Sequence, residues 1–167
     1  MQPTDKIGAL SFYNADNMAI MKTFKDSFMK YSGFEKEEHF DRISFYNGDC
    51  MDLLKQTPDK YYDLALVDPP YGIDINMNMG RRKGEKAKHK IKQWDKGTPN
   101  DEYFAELMRI SKNQIIWGGN YFALPLTGGW IFWNKNVPEG VSFADGELAW
   151  TSFKMVLKKI NPYLYWI

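Results

Sequence analysis

Apolar residues gather in short runs along this chain, and each run is closed by a recognisable turn or cap. Leu64-Ala-Leu-Val67 is rich in strand formers and is cut off by Asp68-Pro-Pro-Tyr71. A run of that length with such an end reads as a buried strand. Ile43–Asn47 reads as a strand, Gly48 as a tight turn and Met51–Lys55 as a helix. Thr98-Pro-Asn-Asp101 opens a second helix, with Thr98 as N-cap, Pro99 at the first helical position and Asp101 in the first turn. Tyr103, Phe104, Leu107, Met108 and Ile110 supply its buried stripe. Gln114–Trp117, Trp130–Asn134 and Glu147–Phe153 read as further strands. Residues 23–42, with Lys and Glu clusters around Phe24, Phe28, Tyr31 and Phe34, read as an amphipathic helix and a polar linker. Strands interleaved with helices predict an α/β fold.

The end of the Leu64–Val67 strand is the most informative point. A buried strand that stops in Asp68-Pro69-Pro70-Tyr71 delivers a carboxylate and a ring to the carboxyl edge of a sheet, where open α/β sheets bind ligands. Pro69 and Pro70 hold φ near −65° and have no N–H, so Asp68 cannot run on into a helix. Tyr71 is then free to lie flat against a planar substrate. A proline-stiffened turn with a buried Tyr would leave the same trace without any chemistry.

Ser11–Lys22 reappears as Ser44–Lys55, at an offset of 33 residues with seven of twelve positions identical. A repeat array needs about three copies or more, and here there are two. The second copy leads into Asp68-Pro-Pro-Tyr71 and reads as the native strand–turn–helix unit. The first reads as a partial copy within an amino-terminal extension, residues 1–42, ahead of a main unit at 43–167. That assignment expects the second copy to lie beside the Leu64–Val67 strand, with the first at the periphery.

Composition narrows the setting. The 167 residues fit one domain with a sizeable core, and 26% charged with 44% hydrophobic residues is ordinary for a globular protein. Cys50 is the single cysteine, which excludes an intrachain disulfide and suits a reducing cytoplasm. No signal peptide is legible near Met1, and no apolar run approaches the ~18 residues of a membrane span. Net charge is +1, yet residues 81–92 carry seven Lys or Arg against one Glu. Arg81, Arg82, Lys83, Lys86 and Lys88 would attract phosphates and give salt-sensitive binding of double-stranded DNA. A solvated loop tip is the alternative. His89 has no second ligand at a usable spacing, so no metal site is expected. Cys50 has no His near it in sequence and reads as a small packed hydrophobe.

An Asp-Pro-Pro-Tyr after a strand resembles the catalytic motif of the amino-group DNA methyltransferases, which methylate adenine N6 or cytosine N4. Trp94-Asp-Lys-Gly, Ile115-Ile-Trp-Gly-Gly-Asn-Tyr-Phe, Gly129-Trp-Ile-Phe-Trp and Glu147-Leu-Ala-Trp-Thr-Ser-Phe are similar to the middle of phage and bacterial adenine methylases. The resemblance covers roughly residues 43–153. It implies that the Asp68 carboxylate and the Pro69 carbonyl accept from an exocyclic amine, pulling it toward tetrahedral geometry, while Tyr71 stacks a base turned out of the duplex. Asp68 favours adenine, since cytosine-N4 members more often carry Ser there. Asn120 is a candidate for shaping the base pocket or for stabilising its turn, and Trp117, Trp133 and Trp150 for the core or for base platforms.

The resemblance further implies S-adenosylmethionine as cofactor, with Asp49 contacting its adenine from an edge next to that of Asp68. Asp is also a preferred helix N-cap, so two roles compete for Asp49. The family's Gly-rich cofactor loop and the His-Pro-x-x-Lys-Pro segment before it have no counterpart, and no Gly-x-Gly occurs in the sequence. The expected protein is therefore an incomplete Rossmann-like methyltransferase sheet with an amino-terminal extension. It would be a truncated site-specific adenine DNA methyltransferase of restriction-modification type, or one half of an enzyme completed by a second chain. A cytosine-N4 enzyme and a non-catalytic DNA-binding remnant are the alternatives.

Overall fold

The computed structural model describes residues 9–13, 18–22, 36–40, 43–73, 95–140 and 144–161. The basic segment with Arg81, Arg82, Lys83, Lys86 and Lys88 lies outside them. The described residues form nine strands and two helices. The strands are β1 (Ala9–Tyr13), β2 (Met18–Lys22), β3 (Lys36–Phe40), β4 (Ile43–Asn47), β5 (Tyr62–Asp68), β6 (Ser111–Trp117), β7 (Trp130–Asn134), β8 (Gly146–Thr151) and β9 (Lys158–Ile160). The helices are α1 (Cys50–Gln56) and α2 (Asp101–Ile110).

All nine strands join one open mixed sheet in the order β3-β4-β2-β1-β5-β6-β8-β7-β9, a mixed α/β architecture compatible with a Rossmann-like fold. At its centre β1, β5 and β6 are parallel. The β7–β8 pair extends the sheet beyond β6, with β8 antiparallel to both its neighbours. Tracing the strand directions outward, β1, β4, β5, β6 and β7 all end on the same edge. No described helix is long and apolar enough to cross a membrane.

The first copy of the duplication does not sit at the periphery. It is the hairpin β1–β2, and β1 takes the slot beside β5 with Ala9 opposite Leu64 and Tyr13 opposite Asp68. The second copy's strand, β4, is two strands removed from β5 and pairs with β2, so the two copies lie against each other. The same template also folds two ways, since Met18–Lys22 is a strand whereas Met51–Lys55 lies in α1. Composition explains the divergence. The helical copy has Asp52 in its first turn and Leu53-Leu54, whereas the strand copy has Ala19 and β-branched Ile20 at the matching places. Within the expected helix and linker at 23–42, residues 36–40 instead form edge strand β3.

The helices pack on each other and supply one side of the core. Leu53 and Leu54 of α1, Ala65 and Val67 of β5, Leu107 and Ile110 of α2 and Ile116 of β6 are buried together. The start of α2 falls later than the sequence pattern suggests. Asn100, not Thr98, is the N-cap, and its side chain accepts from the Tyr103 N–H at 3.0 Å. The helix then runs into β6 without a loop. Arg109 ties its end to α1 by donating to the Leu54 and Thr57 carbonyls, each at 2.9 Å, and to Asp59 at 2.6 Å.

Candidate functional site

The site lies where β5 and β6 end side by side. Tyr62, Ala65 and Val67 of β5 are buried, the positions between them are half-buried, and the strand surfaces at Asp68, which brings the carboxylate out at the rim. Pro69 is buried and Pro70 half-buried, which turns the chain so that Tyr71 comes back over the strand end. The Tyr71 hydroxyl donates to Asp68 Oδ1 at 2.6 Å. A short O–H···O⁻ bond of this kind fixes the carboxylate's rotation and leaves its other oxygen available.

The turn after Tyr71 is held from a distance. Gly72 has φ +69°, and its N–H donates at 2.9 Å to Oδ1 of Asp95, a buried carboxylate. An added Cβ at Gly72 would lie 3.1 Å from the Thr98 nitrogen. Asp95 thus clamps the Asp68–Tyr71 loop against the segment leading to α2. Asp95 stands within Trp94-Asp-Lys-Gly, and a single acid in a loop carries no signal of its burial.

β6 contributes the opposite wall. Gly118 follows Trp117 with φ +65°, and the 3₁₀ turn Gly119–Tyr121 comes next. Tyr121 stacks on Tyr71, with ring centroids 5.1 Å apart and planes 10° from parallel. Phe122 meets Tyr71 edge-on at 6.2 Å. One face of Tyr71 is therefore covered by Tyr121, which is itself 47% exposed. Neither the stack nor its geometry was legible from the spacing of two tyrosines fifty positions apart. Asn120 is exposed in the same turn. Of the three tryptophans weighed, Trp150 is buried with its indole N–H on the Pro125 carbonyl at 2.8 Å, Trp117 is half-buried, and Trp133 is exposed beneath Lys135.

Electrostatics at the rim are set by carboxylates. Burial raises the Asp68 pKa above its ordinary value, the bond from Tyr71 opposes that, and the charge of Glu147 adds to the rise. Burial also drives the Tyr71 hydroxyl well above its ordinary value, helped by its bond to Asp68 and the charge of that carboxylate. Tyr71 therefore stays a hydrogen-bond donor at any working pH. Glu147, at the start of β8, pairs with Lys135. Glu147 is legible in the sequence as a strand residue, whereas its place at this rim follows from the antiparallel pairing of β8 with β6.

Asp49 is not next to Asp68. It follows β4, so β1 and β2 stand between the two strand ends. Its Oδ1 accepts from the Met51 N–H at 2.8 Å and caps α1, as a preferred N-cap residue does. Of the two strands beside β5, β1 is followed by Asn14-Ala15-Asp16-Asn17 without a glycine, whereas β6 leads into Gly118-Gly119, where the Tyr71 ring packs. Among the described residues, Asp49 is thus engaged as a cap and does not stand beside Asp68 as an S-adenosylmethionine cradle would require. Cys50, at the start of α1, is pushed up to about 11 by burial and the neighbouring Asp49 charge, so it stays a thiol. Among the described residues no three His, Cys, Asp or Glu side chains gather to hold a metal ion.

Comparison with protein-family models gives no match, and comparison with curated proteins gives none.

Proposed function

We propose that this chain is the base-recognising half of an amino-group DNA methyltransferase acting on adenine N6. The observation that carries the reading is the Asp68–Tyr71 pair at the rim shared by β5 and β6, the ligand-binding edge of an open α/β sheet. The free oxygen of Asp68 and the Pro69 carbonyl accept the two hydrogens of the amine. Drawing on both hydrogens pulls the nitrogen out of conjugation with the ring and frees its lone pair. This is an orientation and electrostatic task that Asp68 performs only as a carboxylate. Tyr71 holds that carboxylate in place and supplies an aromatic face for the flipped base.

The methyl donor of such a reaction is S-adenosylmethionine, and most of its cradle would have to come from residues other than these. A second reading, a DNA-binding remnant without activity, is favoured by one observation: the Asp49 carboxylate is engaged in capping α1. A test compares duplexes holding a mismatched adenine with the same duplexes holding hypoxanthine, which carries an oxygen in place of the amine. Adenine should bind about tenfold more tightly, since a good bidentate base contact is worth ~1–3 kcal/mol of discrimination. Equal affinity for the two would sink the proposal. Calorimetric titration with S-adenosylmethionine should give weak binding or none. Micromolar affinity would mean that these residues build the cradle themselves.

A further inference from the structure

We infer that Tyr121 stands in for the substrate's base and must leave the face of Tyr71 before the base can occupy it. This rests on the base-binding reading above and adds to it an exchange at a named residue.

Two observations converge. Two rings lie 5.1 Å apart and nearly parallel, at 10°. That separation leaves no room for a third ring between them, since stacked planes need about 3.5 Å from each neighbour. Tyr121 thus presents to Tyr71 a flat ring of the kind a base would present. Secondly, Tyr121 is free to go. It is 47% exposed, and it belongs to a single 3₁₀ turn whose N-cap is Gly118 at φ +65°.

Tyr71 itself cannot retreat instead. It is bonded to Asp68 at 2.6 Å, its loop is clamped through Gly72 by Asp95, and the backbone of Gly118 lies close against its ring. Of the two stacked rings, the exposed one on the short turn is the one that yields. The exchange replaces one aromatic stack by another, so base binding recovers only the difference between them.

The test uses the full chain with a labelled single-stranded oligo(dA), which needs no base flipping, and compares the wild type with Tyr121→Ala, Tyr121→Phe and Tyr71→Ala. Removing an aromatic stack of ~0.5–1.5 kcal/mol corresponds to about two- to twelvefold in affinity. Tyr121→Ala should therefore bind oligo(dA) more tightly than wild type by that factor, with Tyr121→Phe close to wild type and Tyr71→Ala weaker. Weaker binding by Tyr121→Ala would overturn the inference and make Tyr121 a platform in its own right, leaving the base-binding reading intact. Unchanged binding by Tyr121→Ala with loss by Tyr71→Ala would also overturn it. If Tyr71→Ala binds as well as wild type, the base-binding reading fails and the exchange fails with it. Thermal melts of each variant separate these results from a loss of fold.

Discussion

Gly118 and Tyr71 meet so closely that a single added carbon would collide: a Cβ at 118 would lie 2.1 Å from Tyr71 Cε1. Gly118 also has φ +65°, a conformation that costs other residues free energy. Gly118→Ala is expected to destabilise the protein by about 2–3 kcal/mol through strain and overpacking. Adding Tyr71→Ala should recover about 1 kcal/mol of that loss, because only the overpacking depends on the ring. Chemical denaturation of the two single variants and the double variant measures the coupling, and strict additivity would refute the contact.

Asp68 holds its proton more tightly in the folded chain than in the unfolded one. Stability linked to this group is therefore greatest at acid pH and falls as pH rises through its folded pKa. Asp68→Asn removes that cost at neutral pH while keeping an oxygen for the Tyr71 hydroxyl. The variant is expected to match wild-type stability within about 1 kcal/mol, or exceed it, at pH 7. Binding of adenine over hypoxanthine should be lost. A clear drop in melting temperature would make Asp68 a structural residue.

Glu147 raises the pKa of Asp68 by its charge. Glu147→Gln should lower the Asp68 pKa, both by removing the like charge and by releasing Lys135 from its pair. The acid limb of adenine binding against pH, which follows ionisation of Asp68, is then expected to move to lower pH. The check is a binding profile across the acid range for both proteins, with an unmoved limb excluding the coupling.

β1 is the parallel partner of β5 along its whole length. Deleting residues 1–22 removes β1 and β2 together and separates β4 from β5. Several kcal/mol should be lost from a total that is ~5–15 kcal/mol for a typical domain. Circular dichroism melts should show a broadened transition or none. A sharp transition within a few degrees of wild type would mean that β5 needs no partner on that side.

Sequence patterning located the motif loop and most central strands because each is a short apolar run with an unmistakable end. The Asp68-Pro-Pro-Tyr71 turn is legible since two prolines restrict the backbone whatever surrounds them. Strand order was not legible. Ser11–Lys22 and Ser44–Lys55 compete for one slot with nearly the same residues, and pairing is decided by packing across the sheet. Thr98 and Asn100 are both good caps, and the side chain that reaches the Tyr103 N–H decides between them. The rest of the site (Asp95, Tyr121 and Glu147) depends on contacts between distant positions, which no local pattern records.

The placement of β1 gives the protein a timetable. Ala9 pairs with Leu64, so during synthesis β1 emerges well before its parallel partner exists. The β1–β2 hairpin can close locally at once, whereas pairings between distant positions form late because their loop-closure entropy must be met first. Until β5 arrives, β1 presents an open row of amide and carbonyl groups to any other nascent strand. Arrival of β5 ends that exposure and, in the same event, brings Asp68 and Tyr71 to the rim. The chain is most vulnerable to misassembly before its site has formed.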